Sequence, residues 1–166
     1  GAGNDTVSYY FAASGVTARL DRPELNTGEA AGDTYSGIEN LYGSQFDDVL
    51  AGDGGRNTLT GWGGADDFLF ATPLHAGNVD TITDFEPGVD RILLNHIVFT
   101  ALAQGALSPA AFALGAGATT ASHHILYDPA SGLLAYDSDG TGGTSPVPFA
   151  QLGAGLSISS NDFFVV

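Results

Sequence analysis

Four apolar residues, Leu41, Leu50, Leu59 and Phe68, fall nine residues apart without a gap, and the residues two places before them are Glu39, Asp48, Asn57 and Asp66. A nine-residue period matches neither a helical nor a plain strand repeat. Each unit is therefore expected to be a tight turn plus a very short strand, stacked on copies of itself. The spacing predicts a solenoid.

The units read Gly43-Ser-Gln-Phe-Asp-Asp-Val-Leu-Ala, Gly52-Asp-Gly-Gly-Arg-Asn-Thr-Leu-Thr and Gly61-Trp-Gly-Gly-Ala-Asp-Asp-Phe-Leu, with a degenerate copy ending in Gly37-Ile-Glu-Asn-Leu41 before them. Glycines let a turn enter backbone regions closed to other residues and let carbonyl oxygens converge on one point. Carboxylates two residues before each inward apolar side chain sit at the end of the turn, where oxygen-rich concavities form. Such a concavity suits a hard cation that takes about six to eight oxygens, calcium more readily than zinc or copper.

These nonapeptides resemble the repeats of RTX (repeats-in-toxin) proteins. The segment Asp80-Thr-Ile82-Thr-Asp84-Phe85-Glu-Pro-Gly88-Val-Asp90-Arg-Ile92-Leu-Leu94 resembles the end of the roll in the carboxy-terminal domain of serralysin-type secreted proteases. The resemblance implies an all-β chain: a parallel β-roll over residues 1–94, with regular repeats at 34–70 and a closing segment at 71–94. A β-rich C-terminal cap with one or two short helices is expected over 95–166. The resemblance also implies calcium bridging consecutive loops on one side, eighteen residues apart, as Asp48 and Asp66 are. Ligands are then expected at Asp48 and Asp66, in the glycine turns at Gly43, Gly61 and Gly64, at Asp84 one further step along, at Asp80 closing the last site, and at Asp5 in the partial repeat Gly1-Ala-Gly-Asn-Asp5-Thr-Val7. The opposite side runs Glu39, Asn57, His75; it is poorer in charge, so a weaker site or none is expected there. Phe46 stands where glycine is usual, and Asn57 and Glu39 where aspartate is expected, which leaves the number of ions open.

Composition bears on the same question. Nineteen acidic residues face four arginines and no lysine, for a formal charge of −15, which disfavours nucleic acid or an anionic membrane as partner and makes a divalent cation the natural counter-charge. Twenty-four glycines raise the entropy lost on folding, so metal binding is expected to supply part of the folding free energy. With no cysteine, calcium rather than disulfides would do the stapling in an extracellular chain. The absence of methionine and the start inside a truncated repeat point to a piece of a longer chain with a domain upstream. No stretch is long enough for a membrane-spanning helix, and no signal peptide is visible.

Beyond residue 94 the texture changes. Ser108-Pro109 before Ala-Ala-Phe-Ala-Leu114 and Gly115 reads as a short helix, and Ile125 to Asp137, broken at Pro129 and Gly132, reads as a hairpin. Asp137-Ser-Asp139-Gly140 looks like the start of an EF-hand loop but lacks its distal glutamate, so a plain Asx turn is the default. His123 and His124 point to opposite faces of a strand, one buried and one exposed, and do not share a metal. No zinc-protease helix, nucleophile elbow, phosphate loop or cysteine nucleophile is present. The end, Asp162-Phe-Phe-Val-Val166, resembles the terminus of substrates of bacterial type I secretion transporters. The reading is a non-catalytic, calcium-binding module of a secreted, extracellular bacterial protein. An adhesin module with an aromatic patch at Trp62, Tyr9 and Tyr10 is the alternative, and a carboxylate hydrolase a third.

Overall fold

In the computed structural model, which describes residues 2–166, the nine-residue units become strands of three or four residues separated by turns. The first eight strands are β1 (Thr6–Ser8), β2 (Thr17–Arg19), β3 (Asn40–Tyr42), β4 (Val49–Ala51), β5 (Thr58–Thr60), β6 (Asp67–Phe70), β7 (Asp80–Ile82) and β8 (Arg91–Leu94). Six more follow: β9 (Gly105–Ala106), β10 (Phe112–Leu114), β11 (Ile125–Asp128), β12 (Leu133–Tyr136), β13 (Val147–Gln151) and β14 (Phe163–Val165).

Successive short strands alternate between two sheets. Side chains alternate along a strand, so each three-residue strand in the repeats places one residue inward. Leu41 lies beside Leu59 and Leu59 beside Ile82 in one sheet; Leu50 lies beside Phe68 and Phe68 beside Ile92 in the other. These six side chains are at most 2% exposed and join one core.

The expectation of a parallel β-roll with a β-rich cap and one or two short helices is overturned. The chain forms two mixed sheets, eight strands in the order β1-β3-β5-β7-β13-β12-β11-β10 and six in the order β2-β4-β6-β8-β14-β9. Both sheets run on from the repeats into the carboxy-terminal residues: β13 pairs in parallel with β7, and β14 in parallel with β8. The antiparallel part has a local cause. Pro129–Gly132, with Gly132 at φ 81°, is too short a connection to do anything but reverse the chain, so β11 and β12 form a hairpin, and β13 adds antiparallel to β12.

No α-helix forms among the described residues; four 3-10 turns are the only helical elements. The start signal at Ser108 is obeyed, since its side chain accepts from the Ala110 N–H, but the turn stops after Pro109–Ala111. Phe112–Leu114 is instead drawn into the sheet alongside β11. Strand pairing outcompetes a one-turn helix with a costly nucleus. No helix is long and apolar enough to cross a membrane among the described residues.

The carboxy-terminal half adds its own aromatic core. Phe149 meets Phe70 at 5.0 Å and Phe99 at 5.2 Å between ring centroids, both edge to face, which ties the repeats to the later strands. The last strand is equally built in: Phe163 and Val165 are each 1% exposed, whereas Phe164 between them is 39% exposed. Phe163→Ala should therefore cost about 3–5 kcal/mol in denaturant melts, and Phe164→Ala under about 1 kcal/mol. Equal losses would mean that β14 does not hold this register.

Candidate functional site

The turns are stitched together by side chains two residues before each inward apolar position. Ahead of β4, β6 and β8 these are Asp48, Asp66 and Asp90. The Val16 N–H donates to Asp48 Oδ1 at 2.7 Å, the Asp48 N–H to Asp66 Oδ1 at 2.9 Å, and the Asp66 N–H to Asp90 Oδ1 at 3.0 Å. A second ladder stands ahead of β3, β5 and β7: the Asp5 N–H donates to Glu39 Oε2 at 2.8 Å and the Asn57 N–H to Asp80 Oδ1 at 2.9 Å. Between these rungs, the Asn57 side-chain amide donates to the Ile38 carbonyl at 3.1 Å.

Remaining oxygens fold back on their own turns. Ser44 N–H and Oγ–H both reach Asp48, the Glu86 N–H reaches Asp90 Oδ2 at 2.8 Å, and the Asp53 N–H reaches Asn57 Oδ1 at 2.8 Å. A turn of this kind fixes its backbone with one carboxylate that accepts from two levels at once.

The structure brings together some of the expected ligand positions and separates others. Asp48 and Asp66 are consecutive rungs, as the eighteen-residue spacing of Asp48 and Asp66 requires. The next rung is Asp90, 24 residues beyond Asp66, rather than Asp84. On the other side Asp80, 23 residues beyond Asn57, stands where His75 was expected, so that side carries more charge than the sequence suggested. The cause is the loop after β6, which lengthens the period once the nonapeptides lapse. Asp84 is exposed and closes the preceding level's turn instead, accepting from the Gly61 N–H at 3.1 Å and the Trp62 N–H at 2.8 Å. Asp5 joins the second ladder through its backbone. Asp90 was missed by counting in nines, although Ile92 stands two residues after it and that offset alone would have found it.

Burial and electrostatics set the chemistry. Asp48, Asp66, Asp80 and Asp90 are 2%, 2%, 4% and 5% exposed. Burial pushes the Asp66 carboxyl up to about 7, the Asp48 N–H pulls it down, and the charges of Asp48, Asp90 and Asp84 push it up again. Burial likewise pushes Asp80 up to about 7 against the Asn57 N–H, with Asp53 adding to the rise. Asp48 and Asp90 are also raised, again chiefly by burial. Arg91, next to Asp90 in sequence, forks instead onto Asp67, with both bonds at 2.8 Å.

Four glycines make the close approach possible. A Cβ on Gly43 would strike Asp48 Oδ2 and lie 3.0 Å from the Gly61 carbonyl oxygen. Gly64, at φ +116°, would put a Cβ 2.5 Å from the Phe46 carbonyl carbon. Gly61 is equally tight against Asp66 Oδ2, and at Gly52 a Cβ would meet Asn57 Oδ1 at 2.6 Å and Asp80 Oδ2 at 2.7 Å. A carboxylate oxygen thus faces Gly43, Gly52 and Gly61, joined by the Gly61 carbonyl at Gly43 and by the Asn57 amide oxygen at Gly52, while Gly64 lies against the Phe46 carbonyl.

Among the described residues, no group of three or more histidine, aspartate or glutamate side chains is placed to hold a metal ion unaided. A cation here would need the glycine-turn carbonyls as well. That donor set, all oxygen and partly main chain, fits calcium and suits zinc or copper poorly.

The other sequence candidates are occupied locally. Asp137 accepts from the Asp139 N–H and Asp139 from the Thr144 N–H, an Asx-type turn. His123 and His124 are both half-buried rather than split between faces, and their Nδ1 atoms have separate neighbours, Thr119 and the Asp137 carbonyl. Tyr9 is 7% exposed, its hydroxyl 2.6 Å from both Asp33 Oδ2 and the Tyr35 hydroxyl, so it belongs to the core and not to a surface patch.

Comparison with family models and with curated proteins finds no match.

The raised carboxyls fix the sign of a pH effect. In the unfolded chain these aspartates ionise near 4, while in the fold Asp66 and Asp80 hold their protons to about 7. Between those values the folded state binds more protons, so stability of the metal-free chain falls as pH rises through the window and the stabilisation is fully present only below it. In chelator the chain should retain more β-structure by circular dichroism at about pH 5 than at about pH 7.5. A flat profile would mean the ladder charges are compensated.

Proposed function

We propose that this chain is a non-catalytic calcium-binding module of RTX type, part of a larger secreted bacterial protein, which orders on meeting extracellular calcium and carries a type I export signal at its carboxyl end. The observation that carries the reading is the ladder of buried, mutually repelling carboxylates beside glycine-turn carbonyls with no basic side chain among them. Burying ionised groups without a counter-charge is costly, and a fold that repeats the arrangement implies a cation.

Asp48, Asp66 and Asp90 would hold ions on one side and Asp80, with Asn57, on the other, the carbonyls of turns such as Gly43, Gly61 and Gly64 completing the oxygen shells. Calcium, when bound, supplies the positive charge that keeps these carboxylates ionised at neutral pH. Affinity of about 10⁻⁴ to 10⁻³ M, usual for extracellular modules, would leave the chain unfolded where calcium is scarce and folded where it is plentiful. An unfolded chain can be threaded through a transporter. A cleft of about 740 Å³, walled by residues such as Arg56, Leu74, Val79, Leu133 and Val147, has no carboxylate in its lining and so lends the hydrolase alternative no support.

A circular dichroism titration should show β-structure appearing as calcium reaches millimolar levels after chelation, and no change would defeat the proposal. Calorimetry then assigns positions. Asp66→Ala should lose at least one ion, whereas Asp53→Ala, whose carboxylate serves the Gly55 N–H of its own turn, should keep the count. Equal losses would place the ion elsewhere.

Export is tested by deleting Asp162 to Val166 and expressing the chain with a type I transporter; secretion should stop. Because Phe163 and Val165 are core residues, folding of the truncated chain is scored separately. Undiminished secretion would assign the segment to structure alone.

A further inference from the structure

We propose that an exposed aromatic cluster, Tyr10, Phe11, Tyr42 and Trp62, is a docking surface for an arginine- or lysine-bearing segment of a partner protein. The rings touch across three separate segments: Tyr10 meets Phe11 at 5.0 Å and Trp62 at 5.1 Å between centroids, and Tyr42 meets Trp62 at 6.1 Å, all edge to face. Phe11 is 92% and Trp62 51% exposed, and neither belongs to the hydrophobic core. A contiguous apolar patch on an otherwise acidic chain marks an interaction surface.

Backbone strain gives the second, independent observation. Trp62 is the one described non-glycine residue with positive φ, 75°, a region that favours glycine. Ser44 and Asp53, at the same position of their repeats, avoid it. The Asp84 carboxylate holds the strained turn by accepting from both Gly61 and Trp62 N–H groups. A conformation that is disfavoured locally, held from another segment, and used to present a large ring to solvent fits a binding role better than a packing one.

Charge selects the partner. The ring-bearing segments 8–11, 42–47 and 60–66 contain no arginine or lysine, they include the exposed Asp47, and the exposed Asp84 joins them, within a chain of formal charge −15. Ring faces and carboxylates attract the same thing, a cation, and a guanidinium also stacks flat on an aromatic ring. An anionic partner would be repelled, and a neutral glycan would gain the stacking without the long-range attraction.

Trp62 is the only tryptophan, so the emission of the full, calcium-loaded chain reports on this surface directly. Titration with hexa-arginine should change that emission saturably, while maltohexaose and hexaglutamate should not. Phe11→Ala, read by Trp62 emission, and Trp62→Gly, read by anisotropy of labelled hexa-arginine, should each weaken binding by about tenfold or more with net charge unchanged. Trp62→Gly should also keep or raise the melting temperature, since glycine relieves the positive φ. Losses under about twofold in both variants would reduce the attraction to overall charge and overturn the proposal. Saturation by the oligosaccharide alone would make the surface a glycan site and overturn it equally, as would a lowered melting temperature with binding intact for Trp62→Gly.

Discussion

The hydrogen bond from one turn's backbone N–H to the next turn's carboxylate is what the repeat region depends on. Its strands are three or four residues long, so each contributes few ladder bonds of its own, and glycine turns between them lose much entropy on ordering. Asp48, Asp66 and Asp90 compensate by tying one level to another, each carboxylate taking an amide from the level before it. The cost is electrostatic. Levels are stacked by stacking buried like charges, so burial and mutual repulsion push the carboxyls to hold protons while the bonds that define the geometry pull the other way.

This geometry was half legible in the sequence. The nine-residue count located Leu41, Leu50, Leu59 and Phe68 inside and Asp48 and Asp66 at the turn ends, because repeated sequence makes repeated structure. It failed after Phe70, where the loop to β7 shifts the count, and Asp84 was placed on a ladder that Asp90 occupies. The spacing of acid to inward apolar residue survives where the period does not: Asp80 precedes Ile82 and Asp90 precedes Ile92 by the same two positions. That offset reflects strand pleat and turn closure, which are local. The period reflects loop length, which an insertion can change freely.

Strand direction in the carboxy-terminal half was legible only at the hairpin of β11 and β12, which Pro129 and Gly132 marked. Nothing in residues 95–166 repeats, and a hairpin, a parallel crossover and a one-turn helix draw on similar short apolar runs there. What decided the outcome was an edge to be covered. β7 and β8 would each end their sheet with unpaired backbone groups, and β13 and β14 take those places. The last strand, β14, thus lies between β8 and β9 in the second sheet, which makes the fold of the repeats and the fate of the last residues a single problem. On the proposed reading a transporter meets those residues before folding and the sheet meets them after, so the two roles are separated in time.

The turn from Gly61 to Asp66 joins both parts of the functional picture. Asp66, at its end, is a ladder rung between Asp48 and Asp90, while Trp62, near its start, leads the exposed rings and is held by Asp84. A turn with glycine at three of its six positions has little intrinsic preference for one shape, so its order must come from those flanking carboxylates. Whatever neutralises Asp66 and its neighbours therefore also fixes the orientation of Trp62. The aromatic surface is preorganised only in the ordered state, and a partner that prefers that state must stabilise the ladder in return, because coupling between two sites through one element is reciprocal.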